Sequence, residues 1–265
     1  MNQSTAPSND ILFEQRDGIG RVTFNRPQAR NALTFAMYEG LAEICGRIGG
    51  TREAKALVIT GAGDKAFAAG TDIAQFKDFR SGDDGVAYER KMDRVLDAIE
   101  RCPVPTIAAV AGFCTGGGAA IAAACDFRLA AANAQFGFPI ARTLGNCLSM
   151  GNYVRLASLI GPQRVKEMIL LAKLADAPTA LQIGLVSELL PDAAALHVRA
   201  ETLAGTLAGH APITMRTTKE ALRRLQARVG EVNIDDLIRH TYASADFREG
   251  MDAFLQKRAP KWSGH

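Results

Sequence analysis

Three consecutive glycines, Gly116–Gly118, close an apolar run and open a run of small residues, and no other feature restricts the fold of this chain as tightly. The stretch Ala109–Asp126 reads AVAGFCTGGGAAIAAACD. Val104–Val110 before the turn is apolar and of strand length. Ala119–Ala124 after it suits a helix that packs tightly on its neighbours. Glycines at the mouth of a buried helix leave backbone N–H groups open, with no side chain in front of them. The helix dipole adds partial positive charge, so the mouth suits an anion or a developing oxyanion. Taken alone, the same letters also describe an ordinary Gly-rich turn between strand and helix.

The chain has 265 residues and 48% hydrophobic content, enough for one large domain or a core with a helical appendage. Aromatic residues are only 6%, so small side chains must do much of the packing. The net charge of +3, with both signs interspersed, argues against nucleic acid as a partner. No apolar run approaches the roughly 18 residues of a membrane span, so no membrane partner is expected. Residues 1–10, MNQSTAPSND, are polar, lack a secretory or transit pattern and read as a disordered lead. Cys45, Cys102, Cys114, Cys125 and Cys147 have no CxxC spacing. They fit buried thiols in a reducing cytoplasm, with neither disulfides nor a bound metal.

Taken in order, Ile11–Arg16 and Arg21–Asn25 read as paired strands around Asp17–Gly20. Asn31 is a good N-cap for a helix in which Leu33, Met37, Leu41, Ile44 and Ile48 recur at helical spacing, and Gly49–Gly50 stop it. Lys55–Thr60 is a buried strand, Gly85–Arg101 an amphipathic helix and Thr106–Val110 another strand. Asp126–Ala131 and Ala134–Phe138 read as two further strands, and from Asn152 onward the pattern is helical. Strands and helices followed by a helical final third point to a mixed sheet with a helical cap or oligomerisation region. Gly61 and Gly63 form a GxG after a strand but lack a third glycine and a following helix, and no GK[ST] follows the later glycines. Neither a dinucleotide fingerprint nor a P-loop is present.

Asn25–Leu33 (NRPQARNAL), Ala66–Ile73 (AFAAGTDI) and Pro105–Pro139, ending in AQFGFP, together resemble the crotonase superfamily, the enoyl-CoA hydratase/isomerase family. Ala180–Leu185 and Phe247–Arg258 resemble that family's C-terminal half. The resemblance implies an α/β fold, a spiral of ββα units over residues 11–195, with a C-terminal helical trimerisation region over 196–265. It implies a homotrimer or hexamer, and an acyl-CoA thioester as partner with coenzyme A as part of the substrate and no resident cofactor.

By position, the resemblance places two catalytic backbone donors at Thr71 and Gly117, an oxyanion hole that holds the thioester oxygen as negative charge accumulates. A preorganised pair of this kind is worth a few kcal/mol of transition-state stabilisation. The CoA end would lie along Gln28, Ala29 and Arg30 and along Ala68, Gly70, Asp72 and Ile73, with Arg30 in reach of a phosphate. Gly116 and Pro139 join these substrate-binding positions, and Phe113, Phe138 and Ile140 would make the acyl pocket apolar. Lys257 and Arg258 match a basic segment that in relatives approaches the CoA of a neighbouring subunit, although a solvated helix end looks the same.

The family's hydratases carry one glutamate three residues after the oxyanion glycine and another directly after the proline of AQFG-x-P, and use the pair as general acid–base groups. Here these positions are Ala120 and Ile140, neither of which can transfer a proton. Between Arg101 and Lys166 the sole acidic residue is Asp126, which matches a non-catalytic family position, and all four histidines lie in the C-terminal part. The remaining candidates are Tyr88, Glu89, Lys91 and Asp93, on a segment from which some decarboxylating relatives recruit groups, and Cys114, Arg142, Asn146, Cys147 and Ser149 as pocket lining. The expectation is an enoyl-CoA hydratase/isomerase-like acyl-CoA-binding protein that stabilises a thioester enolate without ordinary hydratase activity. The alternatives are a non-catalytic acyl-CoA binder, or a decarboxylase or isomerase with a different proton-transfer group.

Overall fold

The computed structural model describes residues 9–51, 54–230 and 232–265, so residues 1–8 of the expected lead lie outside the described part. The strands β1 (Ile11–Arg16) and β2 (Ile19–Phe24) precede helix α1 (Phe35–Thr51). Then come β3 (Ala56–Gly61), β4 (Ala66–Ala68), α2 (Gly82–Glu100), β5 (Thr106–Val110), β6 (Phe113–Thr115) and α3 (Gly117–Ala124). They are followed by β7 (Phe127–Ala131), β8 (Gln135–Gly137), α4 (Ile140–Thr143), α5 (Met150–Leu170), β9 (Ala175–Asp176), α6 (Ala177–Gln182) and β10 (Glu188–Leu190). Four helices end the chain: α7 (Ala193–Ala208), α8 (Pro212–Gly230), α9 (Asp235–Ala243) and α10 (Ala245–Leu255).

Six strands form the main sheet in the order β1–β2–β3–β5–β7–β10, antiparallel at β1/β2 and parallel elsewhere. A second sheet runs β4–β6–β8–β9. Each of β3, β5 and β7 passes its chain to a short strand of the second sheet and then to helix, which is the expected ββα repeat. Strand alternation divides the apolar residues between two layers. Leu57, Ile59, Ala108, Val110 and Ala130 face the main core. Val58, Ile107, Ala109, Leu129 and Ala131 face Leu196, Ala200, Ala204 and Leu207 of α7. That helix crosses the expected core boundary at residue 195 and covers the outer face of the sheet.

Several local expectations are corrected. Asn31 does not cap α1. It sits fully buried in left-handed conformation (φ 54°), its amide donates to the carbonyls of Ala62 (3.1 Å) and Ala66 (2.7 Å), and its Oδ1 accepts from Arg26 N–H. Thr34 is the residue whose hydroxyl accepts from Met37 N–H at the helix start. The helix continues through Gly49–Gly50 to Thr51. The C-terminal third is not purely helical, because Glu188–Leu190 pairs with β7 and Ala175–Asp176 with β8. Strands of two or three residues are too short to show a period in sequence. Met150–Leu170 is interrupted at Gly161 (φ 76°), just before Pro162.

Two packing features position the site. Arg128, buried behind α3, donates to the carbonyls of Ala122, Cys125 and Leu185, so it satisfies the C-terminal end of that helix. Gly82 and Gly85 let α9 lie against α2: a Cβ on Gly82 would stand 2.3 Å from the Arg239 carbonyl oxygen, and one on Gly85 2.2 Å from the Tyr242 ring. This close approach carries the Tyr242 hydroxyl to the buried side of α2.

Candidate active site

The loop after β4 and the mouth of α3 meet. Leu33 N–H donates to Gly70 O (2.8 Å) and Asp72 N–H donates to Leu33 O (2.9 Å), a one-residue parallel bridge that leaves the intervening Thr71 N–H turned away from Leu33. Gly70 has φ 105°, and a Cβ built on it would lie 4.0 Å from Gly117 N. Gly116 N–H is taken by Gly137 O (2.9 Å), whereas Gly117 is the first residue of α3 and its N–H has no acceptor within the helix. Thr71 and Gly117 therefore line one cavity, of about 510 Å³.

Ala29, Arg30, Gly70, Asp72, Ile73, Phe113, Gly116, Pro139 and Ile140 also line it. Gln28 and Ala68 do not: Gln28 is exposed on the turn Pro27–Ala29, and Ala68 is fully buried in β4 with its carbonyl against Gly118. The guanidinium of Arg30 lies over the Phe113 ring, 5.2 Å from its centre, at the cavity edge. Asp72 accepts from Arg26 (3.0 Å) and from Ala74 N–H, so its carboxylate is engaged in holding the loop.

A chain of hydroxyls runs beside the two loops. Thr71 Oγ1 is 2.8 Å from both Tyr38 Oη and Tyr88 Oη. Burial raises both phenols above their ordinary range, so they remain protonated donors. Tyr38 is a site residue that sequence reasoning missed. It is adjacent to Met37 in the apolar stripe of α1, and nothing in the local pattern separates it from core packing.

Ala120 and Ile140 stand in the cavity wall, so the two positions at which the resemblance expects glutamates face this space. Its acidic lining residues are Asp72 and Glu89. Glu89 is 3% exposed. Its Oε1 accepts from the Tyr242 hydroxyl (2.6 Å) and its Oε2 from Ser149 N–H (2.9 Å). Desolvation pushes the carboxyl up to about 8, helped by the charge of Asp93 and opposed by the bonds from Tyr242 and Ser149. At neutral pH it is thus mostly an acid.

The other candidates separate by position. Lys91 pairs with Glu39 (2.5 Å). Asp93 is outside this cavity's wall, accepting from Ser149 Oγ (2.7 Å) and lying 3.5 Å from Arg155. Asn146 lines the cavity and donates to Tyr242 Oη at 3.3 Å. Ser149 holds Glu89 through its backbone and caps α5. Cys114 is buried within β6, Arg142 is exposed, and neither is in the cavity wall; Cys147 is also outside it. Lys257 and Arg258 are exposed, with Arg258 bound to Glu249. Asp126 accepts from Thr106 and from Lys219, a structural clamp between β5 and α8.

The family model described as enoyl-CoA hydratase/isomerase matches residues 14–265. The chain belongs to the enoyl-CoA hydratase/isomerase family. Among relatives, it is 32% identical over 253 residues to a short-chain-enoyl-CoA hydratase of Clostridium acetobutylicum, covering 94% of this chain and 96% of that protein. It is 34% identical to a crotonyl-CoA hydratase of Syntrophomonas wolfei, covering 94% and 96%. Among solved structures, it is similar to an enoyl-CoA hydratase/carnithine racemase of Magnetospirillum magneticum (32% identity, TM-score 0.78, 97% and 96% covered). A methylmalonyl-CoA decarboxylase in complex with 2-nitronate-propionyl-CoA is similar at 26% identity and TM-score 0.87, covering 96% and 98%. The fold is thus the crotonase fold expected from the glycine stretch and its companions. Among the described residues no helix is long and apolar enough to cross a membrane.

Proposed function

We propose that this chain binds an acyl-CoA thioester and stabilises its enolate between the N–H groups of Thr71 and Gly117, in a reaction other than efficient enoyl-CoA hydration. The observation that carries this reading is that Thr71 and Gly117, whose N–H groups have no bonded acceptor among the described residues, line one cavity with Ala120 and Ile140, the positions at which the resemblance expects the acid–base pair. Backbone donors fixed by a bridge and a helix mouth need no reorganisation as charge develops, which makes them effective in a dry pocket. Hydration requires a water to be deprotonated while the α-carbon is protonated, and two alkyl side chains supply neither step. The thioester would enter past Arg30, and the acyl group would lie against Phe113, Phe138 and Ile140.

A second reading has its own support. Loss of a carboxylate from the α-carbon generates the enolate without any base, so it needs the donor pair and one acid rather than two carboxylates. The similarity to a methylmalonyl-CoA decarboxylase at TM-score 0.87 favours this class. The exposed Ile213, Leu222 and Leu225 on α8 favour self-association through the C-terminal helices, as a homotrimer or hexamer, which light scattering on the purified protein would measure.

The test is a panel of enoyl-, methylmalonyl- and β-ketoacyl-CoA esters, with turnover followed by mass spectrometry and binding by calorimetry. Conversion of a non-enoyl ester with little hydration is the expected result. Binding without turnover across the panel would make the protein a non-catalytic acyl-CoA binder. Failure to bind any ester removes the proposal altogether.

A further inference from the structure

Glu89 belongs to two cavities. One is the acyl cavity that contains Thr71, Gly117, Ala120 and Ile140. The other lies behind α2, has a volume of about 450 Å³ and is lined by Asp93, Asp97, Ser149, Arg155 and residues of α9 among others. The carboxyl is thus a partition between an apolar acyl space and a polar space, on an element different from those that carry residues 120 and 140. Both of its oxygens are held, one by a phenol and one by a backbone N–H, so its orientation is fixed before any ligand arrives. Tyr242 is itself positioned by Asn146 Nδ2 and by the glycine contact between α2 and α9. The other carboxylate of the acyl cavity, Asp72, is engaged by Arg26.

We propose that Glu89 is the catalytic residue that exchanges a proton with the α-carbon of the bound thioester, and that the space behind α2 restores its protonation state from solvent. This rests on the oxyanion reading of Thr71 and Gly117 and names the group that completes it. For an acyl-CoA that carries a carboxylate on its α-carbon the step balances as follows. The bond from the α-carbon to the carboxylate breaks, carbon dioxide leaves, and the electron pair becomes the enolate held by the two N–H groups. The Glu89 carboxylic acid gives its proton to the α-carbon, the thioester carbonyl re-forms, and the carboxylate takes one proton from water on the rear side. One substrate and one proton give one acyl-CoA and one carbon dioxide. In the reverse sense the Glu89 carboxylate removes an α-proton from a saturated ester and returns a solvent-derived one. One carboxyl suffices for either, whereas hydration uses two.

The groups in bonding or charge contact with this carboxyl are Tyr242 on α9, Cys147 and the Ser149 N–H before α5, Tyr153 on α5, Tyr38 on α1, and Tyr88 and Asp93 on α2. Of the cations that line the space behind α2, Arg155 is held by Asp93, Asp97 and Glu100, Arg90 pairs with Asp235 and Arg223 pairs with Glu220. The phenols and thiols stay neutral through the pH range of interest, so the pH response belongs to Glu89 with Asp93 beside it.

The experiment follows deuterium uptake from heavy water into the α-position of butyryl-CoA by mass spectrometry, with calorimetric binding of the same ester, for the wild type, Glu89→Gln and Tyr242→Phe. The wild type is expected to exchange, with a rate that rises with pH through the region of about 8 as the carboxylate forms. Glu89→Gln keeps a hydrogen-bonding partner for both Tyr242 and Ser149. Its exchange should fall by about 100-fold or more while its dissociation constant stays within about threefold. Tyr242→Phe removes a bond that favours the carboxylate, so it should retain exchange with the pH midpoint moved upward. Undiminished exchange in Glu89→Gln, or binding without exchange in the wild type, would overturn the assignment. Absence of butyryl-CoA binding would instead overturn the oxyanion reading beneath it.

Discussion

The phenolic oxygen of Tyr38 stands 1.8 Å from the point that a Cβ on Gly117 would occupy. The same point is 3.2 Å from Thr71 Oγ1, so a single hydrogen in place of a methyl group at residue 117 lets α1, the loop after β4 and α3 converge. Gly117→Ala should therefore displace Tyr38 from a fully packed position, break its bond to Thr71 and move the residue 117 N–H. We expect a stability loss of about 1–3 kcal/mol, typical of overpacking. Turnover of whichever ester the protein uses should fall by about 100-fold, the effect of losing one oxyanion donor. Tyr38→Phe added to Gly117→Ala removes the colliding oxygen and should recover part of the stability. Thermal unfolding of the single and double variants checks this, and an unperturbed melting temperature in Gly117→Ala would contradict the close approach.

Glu89 should also make stability fall with rising pH. Its carboxyl titrates near 4.5 in an unfolded chain and near about 8 in the native one, so the native state holds the proton more tightly. Between these limits the native state binds more protons than the unfolded state, and stability declines as pH rises through the window. The contribution is fully present below about pH 4.5 and gone above about pH 8, with an upper bound on the order of 5 kcal/mol. Glu89→Gln lacks this titration. Denaturant unfolding of both proteins at about pH 5 and about pH 8.5 should show the wild type losing stability relative to the variant, and parallel curves would refute the assignment of a raised carboxyl.

The α2–α9 contact offers a way to perturb that carboxyl from a distance. Gly85 has no room for a methyl group, because the Tyr242 ring lies against it. Gly85→Ala should push Tyr242 away from Glu89 and cost about 1–3 kcal/mol. With its phenol partner withdrawn, Glu89 should hold its proton to higher pH, the same direction as in Tyr242→Phe. The comparison is made by α-proton exchange against pH. If Gly85→Ala unfolds the protein, Tyr242→Phe alone, which keeps the ring against Gly85 and removes only the hydroxyl, makes the same comparison.

What was legible in the sequence follows from the range of the forces involved. Gly116–Gly118 and the neighbouring apolar run are local, and they give β5, the turn and α3 with the expected bounds within a residue or two. The alternation that divides Val58 from Ile59 is likewise local. Asn31 looked like a cap because its letter fits one; its burial depends on Ala62 and Ala66, which only the tertiary fold brings near. Tyr38 is a residue of the α1 stripe until Thr71 arrives from another unit. Tyr88 and Glu89 are the buried two of four polar candidates on α2, and helical spacing could not distinguish them from the partly exposed Lys91 and Asp93. The glycines at 82 and 85 were the available signal, since two small residues one turn apart on a helix mark a close neighbour.

Residues 120 and 140 give the last prediction. Ala120 and Ile140 are 6% and 8% exposed and both line the cavity that holds Thr71 and Gly117. If that cavity keeps the family's arrangement, Ala120→Glu together with Ile140→Glu places two carboxyls beside the bound β-carbon. One can then deprotonate water while the other protonates the α-carbon, a pair of steps worth about 100-fold or more each. Burial and mutual repulsion will raise both new carboxyls, and Glu89 nearby is already mostly protonated at neutral pH, so it adds little charge against them. Crotonyl-CoA hydration, followed by loss of the enoyl thioester absorbance, should rise above the wild type in the double variant and less in either single variant. A folded double variant that binds crotonyl-CoA without faster hydration would mean that the acyl group lies elsewhere than between residues 120 and 140. In that case the cavity would be shaped around a substrate whose reacting carbon is presented to Glu89 instead.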